Sequence, residues 1–130
     1  GTAVGDWDND GDPDLLITNK NDLPALLRND TASAHHWLAL RTRGVQSNRD
    51  GIGARVRLVA GGWQQMREVR AGASYLSHHS LWLSFGLERQ AVVDTLEIRW
   101  PGGAVDTHVG VVADHFVIAE EGRELVEVKR

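Results

Sequence analysis

Apolar residues recur at every second position along most of this chain. Ala54, Val56, Leu58 and Ala60 alternate with Arg55 and Arg57, and Leu96, Ile98 and Trp100 alternate with Glu97 and Arg99. A period of two predicts strands with one buried face. Trp37-Leu-Ala-Leu-Arg-Thr-Arg43 reads as another strand, as do Leu81, Leu83 and Phe85. Gly61-Gly62 is a hairpin signal, after which Trp63-Gln-Gln-Met-Arg-Glu-Val69 returns. Pro101-Gly-Gly103 turns the chain into Ala104-Val-Asp-Thr-His-Val109, and Glu120-Glu-Gly-Arg123 joins His115-Phe-Val-Ile-Ala119 to Leu125-Val-Glu-Val128. No segment carries an apolar stripe at helical spacing. Many short strands separated by Gly-rich turns predict an all-β fold, an antiparallel β-sandwich or a barrel-like domain.

The first thirty residues stand apart. Thr2-Ala-Val4 and Leu15-Leu-Ile-Thr18 are short, partly β-branched apolar runs around a polar loop, and a hairpin partner follows from Ala25 to Arg28. Residues 29–34 are small and polar, a linker composition. The expected organisation is a strand–loop–strand fragment over 1–30 and a β domain over 35–130, the latter with about eight strands. A lone hairpin is marginal in water, so the fragment must pack on the domain or use sheet neighbours supplied from elsewhere.

A chain of 130 residues is one ordinary domain, or one domain plus a fragment of another. No run of eighteen apolar residues occurs, so no membrane-spanning helix is expected. Residue 1 already opens a strand-like segment, so no signal peptide is read and the chain looks excised from something longer. Absence of cysteine excludes disulfides and thiolate metal sites. Residues 1–30 carry seven acids and two bases, net −5, whereas residues 31–130 carry net +1, which together make the total of −4. The acidity is thus local, and nothing resembles the basic patch that nucleic acid would need.

That local acidity is a pattern. Asp6, Asp8, Asp10 and Asp14 are spaced two, two and four apart, with Gly11 after the third. Ca²⁺ takes six to eight oxygens from carboxylates, carbonyls and water, and alternating Asp turned at a Gly aims several carboxylates at one centre. The expected ligands are Asp6, Asp8, Asp10 and Asp14, with Asp12 through its carbonyl. The loop is not an EF-hand, which needs Glu at its twelfth position; counted from Asp6 that position is Ile17. The competing reading is an Asp-rich turn, since Asn, Asp and Gly are ordinary turn formers.

These residues also carry a resemblance. Gly5-Asp-Trp-Asp-Asn-Asp-Gly-Asp-Pro-Asp-Leu15, Ile17-Thr-Asn19 and Leu27-Arg-Asn-Asp30 resemble part of an FG-GAP/VCBS repeat, the blade of integrin-like β-propellers. From His36 onward the chain resembles the ASPIC/UnbV domain, through His36-Trp-Leu38, Ser47-Asn-Arg-Asp-Gly-Ile-Gly-Ala-Arg-Val56, Arg67-Glu-Val-Arg70 with Gly72, Ser74-Tyr-Leu-Ser77, Phe85-Gly-Leu87, and Val93-Asp94 on to Ile98-Arg-Trp-Pro-Gly102. The resemblance, which extends to the cartilage acidic protein family, implies a secreted, calcium-associated β-propeller ending in a small β domain with no established chemistry. His78-His79 departs from the family pattern, and at most half a blade is present.

Other candidates divide between ligand and scaffold. Arg49 and Asp50 face either a ligand or the inside of a turn before the next strand. Trp63, beside Gly61-Gly62, and Trp82, on the face opposite Leu81 and Leu83, are the expected exposed rings, while Trp37 and Trp100 are expected in the core. Adjacent histidines on a strand point to opposite faces, so His78 and His79 are read as loop residues. Ser77, His79 and Asp94 have the residue types of a hydrolase triad, but no Gly-x-Ser-x-Gly elbow accompanies them, and no enzyme is expected. The leading expectation is a calcium-binding terminal module of an extracellular or periplasmic, bacterial propeller protein, with an adhesion, scaffolding or interaction role. Its partners would be Ca²⁺, the rest of the propeller, and an extracellular protein or glycan. The alternative is a carbohydrate-binding module that uses Trp63 or Trp82.

Overall fold

The computed structural model describes residues 1–31, 34–72 and 75–129. Ala32 and Ser33 of the expected linker and Ser74 of the family-like motif lie outside the described residues. Eleven strands and no helix occur among the described residues, so none is long and apolar enough to cross a membrane.

The strands form three sheets. β1 (Thr2–Gly5), β2 (Asp14–Ile17) and β3 (Ala25–Leu27) make a small antiparallel sheet. β4 (His36–Arg43), β7 (Leu83–Glu88), β10 (His115–Glu120) and β11 (Val126–Val128) make a second, in the order β11-β10-β4-β7. β5 (Arg55–Ala60), β6 (Trp63–Glu68), β8 (Val92–Arg99) and β9 (Val105–Val112) make a third, in the order β6-β5-β8-β9. The second and third sheets pack face to face, and the period-two pattern explains why. Along β5, Val56, Leu58 and Ala60 are fully buried while Arg55 and Arg57 face outward. Leu38 and Leu40 of β4, Phe85 and Leu87 of β7, and Val117 and Ala119 of β10 join them, with Leu96 and Ile98 of β8 and with Trp100, in one core cluster. The all-β sandwich holds, and no barrel closes.

One pairing departs from the antiparallel expectation. β10 lies parallel to β4, Leu40 opposite Val117. Parallel neighbours cannot be joined by a hairpin and need a long crossover. Here the crossover is the third sheet: the chain runs from β4 through β5 and β6, returns for β7, and leaves again for β8 and β9 before β10.

The outer face of the second sheet meets the first sheet. Leu38 and Leu40 occupy the core, so Trp37 and Ala39 point the other way, and Phe116, opposite Ala39, shares that face. Trp37 and Trp82 each pack edge-to-face with Phe116, with centroids 5.0 and 5.3 Å apart. Gly11 of the aspartate loop is pressed on the Trp37 indole, closely enough that a Cβ would overlap it. Beside β1, Ser80 N donates to Val4 O at 2.8 Å and Val4 N donates to His79 Nδ1 at 3.2 Å. The fragment of residues 1–31 therefore packs on the following domain. Trp37, expected in the core, is instead half-buried beneath that docked loop, while Trp100 is 2% exposed as expected.

Candidate metal centre

The loop between β1 and β2 turns because two of its residues take left-handed backbone, Asn9 at φ 63° and Gly11 at φ 99°. Its carboxylates organise the turn. Asp6 Oδ1 accepts from Asn9 N at 2.6 Å and Asp6 Oδ2 from Gly11 N at 3.1 Å. Asp14, at the start of β2 and 3% exposed, accepts from Trp7 N at 2.7 Å and from Asn29 N at 2.8 Å, tying both ends of the loop to the segment after β3.

Three carboxylates converge. Asp6, Asp8 and Asp14 each offer an oxygen within 4.8 Å of the others. Asp10 and Asp12 lie outside this triangle, and Asp10 Oδ1 accepts from Asp12 N at 2.9 Å, a local turn. Among the described residues Asp8 has one cationic neighbour, Arg28 at 3.6 Å, and Arg28 is held more tightly by Asp30 at 2.6 Å. Like charges at such separations repel by about 1 kcal/mol per pair in water and about 4 kcal/mol near a protein surface.

The proton affinities carry that crowding. Burial raises the Asp6 carboxyl above its usual range, and the charges of Asp10 and Asp14 add to this against the Gly11 and Asn9 amides. Burial and the charges of Asp10, Asp14 and Asp8 raise Asp12 likewise. Asp14 moves down, because the Asn29 and Trp7 amides stabilise its charged form beyond what burial costs. The loop also holds an orphaned buried oxygen, Asn9 Oδ1, without a hydrogen-bond partner among the described residues. Hard carboxylate oxygens, with carbonyl-type oxygen nearby and no sulfur or imidazole in the triangle, suit Ca²⁺ chemically.

The other predicted residues fall elsewhere. Trp63 opens β6 and is half-buried, paired across the hairpin with Ala60. Trp82 is half-buried against Phe116 and lines a cleft of about 400 Å³ with Asp6, Arg67, Arg70 and His79. Neither ring is a fully exposed platform. Arg49 and Asp50 line a separate pocket at the far end of the second sheet. Ser77, His79 and Asp94 each meet backbone rather than one another: Ser77 Oγ donates to Tyr75 O, His79 Nδ1 accepts from Val4 N, and Asp94 Oδ2 accepts from Gly61 N.

One buried carboxylate escaped the sequence altogether. Glu121, 7% exposed, accepts from Val45, Gln46 and Ser47 amides at 2.7–2.8 Å through Oε2 and from Ser47 Oγ at 2.9 Å through Oε1. Nothing in its Glu-Glu-Gly-Arg turn distinguishes it from a solvent-facing neighbour.

The family model described as ASPIC and UnbV matches residues 44–126, well over half of the chain. The chain belongs to the ASPIC and UnbV family. A comparison with curated proteins finds no match. The match starts at the loop that Glu121 pins and ends at β11, so it spans most of the sandwich and leaves the aspartate loop outside it.

Proposed function

We propose that this ASPIC/UnbV chain is a non-enzymatic, calcium-binding terminal module of a secreted, β-propeller-type protein, with an adhesion, scaffolding or protein-interaction role. Residues 1–30 would be part of an FG-GAP/VCBS repeat, in a relative of the cartilage acidic protein family, in an extracellular or periplasmic, bacterial setting. The observation that carries the reading is the convergence of Asp6, Asp8 and Asp14 within 4.8 Å in a loop docked on Trp37. Ca²⁺ would relieve the crowding of these anions and stiffen the joint between the fragment and the sandwich.

Asp8 is the residue with which to test this. Asp6 and Asp14 bind loop amides, so replacing either breaks the turn itself, whereas among the described residues Asp8 has only the long contact to Arg28. Extracellular modules hold Ca²⁺ with Kd of roughly 10⁻⁴ to 10⁻³ M. About 1 mM calcium then stabilises the fold by about 0.4–1.4 kcal/mol, or about 2–6 °C in Tm. EDTA is expected to remove this increment, and Asp8→Ala to abolish the difference between calcium and EDTA. Superimposable melting curves of the wild type in calcium and in EDTA would refute the proposal.

One observation favours the carbohydrate reading as a second: Trp82, together with Arg67 and Arg70, lines the 400 Å³ cleft between the two units. A half-buried indole there would present one ring face to a sugar.

A further inference from the structure

A second charged constellation lies away from the aspartate loop and does not depend on calcium. Arg41 and Arg43 are two apart on β4 and so share the outer face of the second sheet. Arg49 and Asp50 belong to the following loop. With Thr42 and Ile118 these residues line a pocket of about 250 Å³. Its lining holds three cations and one anion, in a chain whose net charge is −4.

The three guanidinium groups retain donor capacity. Arg41 Nη2 lies 3.4 Å from Asp50 Oδ1, and Arg43 Nη1 lies 3.5 Å from Glu120 Oε2. Both separations exceed the ~2.7–2.9 Å of a full charge-assisted bond, and each guanidinium has five N–H donors. Glu120 is also the closer partner of Arg123, at 2.7 Å, which weakens its hold on Arg43. The Arg49 side chain has no ion pair or hydrogen bond among the described residues. Within the lining, Asp50 is the one carboxylate set against three arginines, so the pocket keeps a net positive charge.

The loop is already rigid. Glu121 holds the amides of Val45, Gln46 and Ser47. The Asn48 side chain both donates to Ile52 O and accepts from Ile52 N, each at 2.8 Å. Gly44 N donates to Arg49 O, and Thr42 Oγ1 to Asp50 O. Ordering of this backbone is complete before any ligand arrives, which lowers the cost of binding.

We propose that this pocket is a subsite for one sulfate or phosphate ester group of a larger anionic ligand. Guanidinium forks match oxyanions bidentately. The Thr42 hydroxyl is committed to Asp50, so recognition rests on the arginines, and the ester oxygens take over Arg41 from its long contact with Asp50. The volume falls below the ~300–1,000 Å³ of pockets that enclose a whole small ligand, so the site takes one charged group and leaves the remainder outside.

The test is a titration of the ¹⁵N-labelled chain with para-nitrophenyl sulfate, para-nitrophenyl phosphate, inorganic sulfate, inorganic phosphate and uncharged para-nitroanisole, read at the arginine Nε–Hε resonances. Saturable shifts at Arg41, Arg43 and Arg49 are expected with an ester and none with para-nitroanisole. Arg49→Gln and Arg41→Gln are each expected to weaken ester binding about tenfold or more, with dispersed amide spectra reporting that both variants remain folded. Arg99→Gln, an exposed arginine of the third sheet, serves as the charge control and leaves affinity unchanged. Esters binding at least as tightly as the free ions support the subsite. Free ions binding while both esters are excluded would overturn it, as would the absence of shifts or a loss of affinity equal in Arg99→Gln and Arg49→Gln.

Discussion

Glu121→Ala removes the acceptor on which three consecutive amides and one hydroxyl converge. The carboxylate follows directly after β10 and reaches the loop after β4, 74 to 76 residues away in sequence. Burial alone would push its proton affinity up; the hydrogen bonds from Ser47 N, Val45 N, Ser47 Oγ and Gln46 N outweigh this and hold the carboxyl below the usual glutamate range. A hydrogen bond to a charged group is worth about 1.5–3 kcal/mol. Four such bonds sharing one acceptor do not add, and water reaches the exposed Val45 and Gln46 once the carboxylate is gone. A loss of about 3 kcal/mol is expected for Glu121→Ala, or about 10 °C in Tm. Glu121→Gln keeps the shape and loses the charge, for about half that cost. The sign of the pH dependence follows from the depressed folded value. The charged form contributes fully above the unfolded glutamate value of about 4.3, and its contribution fades as pH falls through that value toward the lower folded one. Thermal melts of wild type and Glu121→Gln are therefore expected to differ by a constant amount between about pH 6 and 8 and to converge below about pH 4. A Glu121→Ala loss under about 0.5 kcal/mol, the scale of an ordinary surface substitution, would refute the reasoning. So would a gap between wild type and Glu121→Gln that widens on acidification.

Two further outcomes test the joint between fragment and sandwich. Gly11 has φ +99°, and a Cβ there would come within 3.0 Å of the Trp37 indole. Gly11→Ala combines about 1–2 kcal/mol of backbone strain with about 1–3 kcal/mol of overpacking. The aspartate loop is expected to lift from Trp37, which limited proteolysis would register as faster cleavage within residues 1–31 while the sandwich stays resistant; an unchanged digestion pattern would count against the docking contact. For the carbohydrate reading, polysaccharides that alter tryptophan fluorescence of the wild type are expected to leave Trp82→Ala unaffected and Trp63→Ala responsive, and silence of the wild type across a broad polysaccharide panel would remove that reading.

Legibility in the sequence tracked the range of the interactions. The strand from Arg55 to Ala60 was readable because each residue's face is set by its own position in a two-residue repeat. Its turn was readable because Gly61-Gly62 supplies positive φ at both positions, 57° and 86°. The aspartate loop was readable for a related reason: its residues lie within nine positions, and the turn between the paired strands β1 and β2 brings Asp6, Asp8 and Asp14 together. Within that loop the Asp10 carboxylate bonds the Asp12 amide and lies apart from the other three.

Residue chemistry alone carried the all-β class, the buried faces of β5 and β8 and the place of the anionic loop, but not the face of Trp37 on β4. The first three follow from its repetition at short spacing. Tertiary structure alone decided which strands became neighbours, and with that the parallel β4–β10 pair, the seat of Gly11 on Trp37, the gathering of Arg41 and Arg43 with Arg49, and the capture of the Val45–Ser47 amides by Glu121. A side chain's face is a local property of backbone geometry. Its partner across the fold depends on which distant segments bury their apolar faces together, and no spacing along the chain records that.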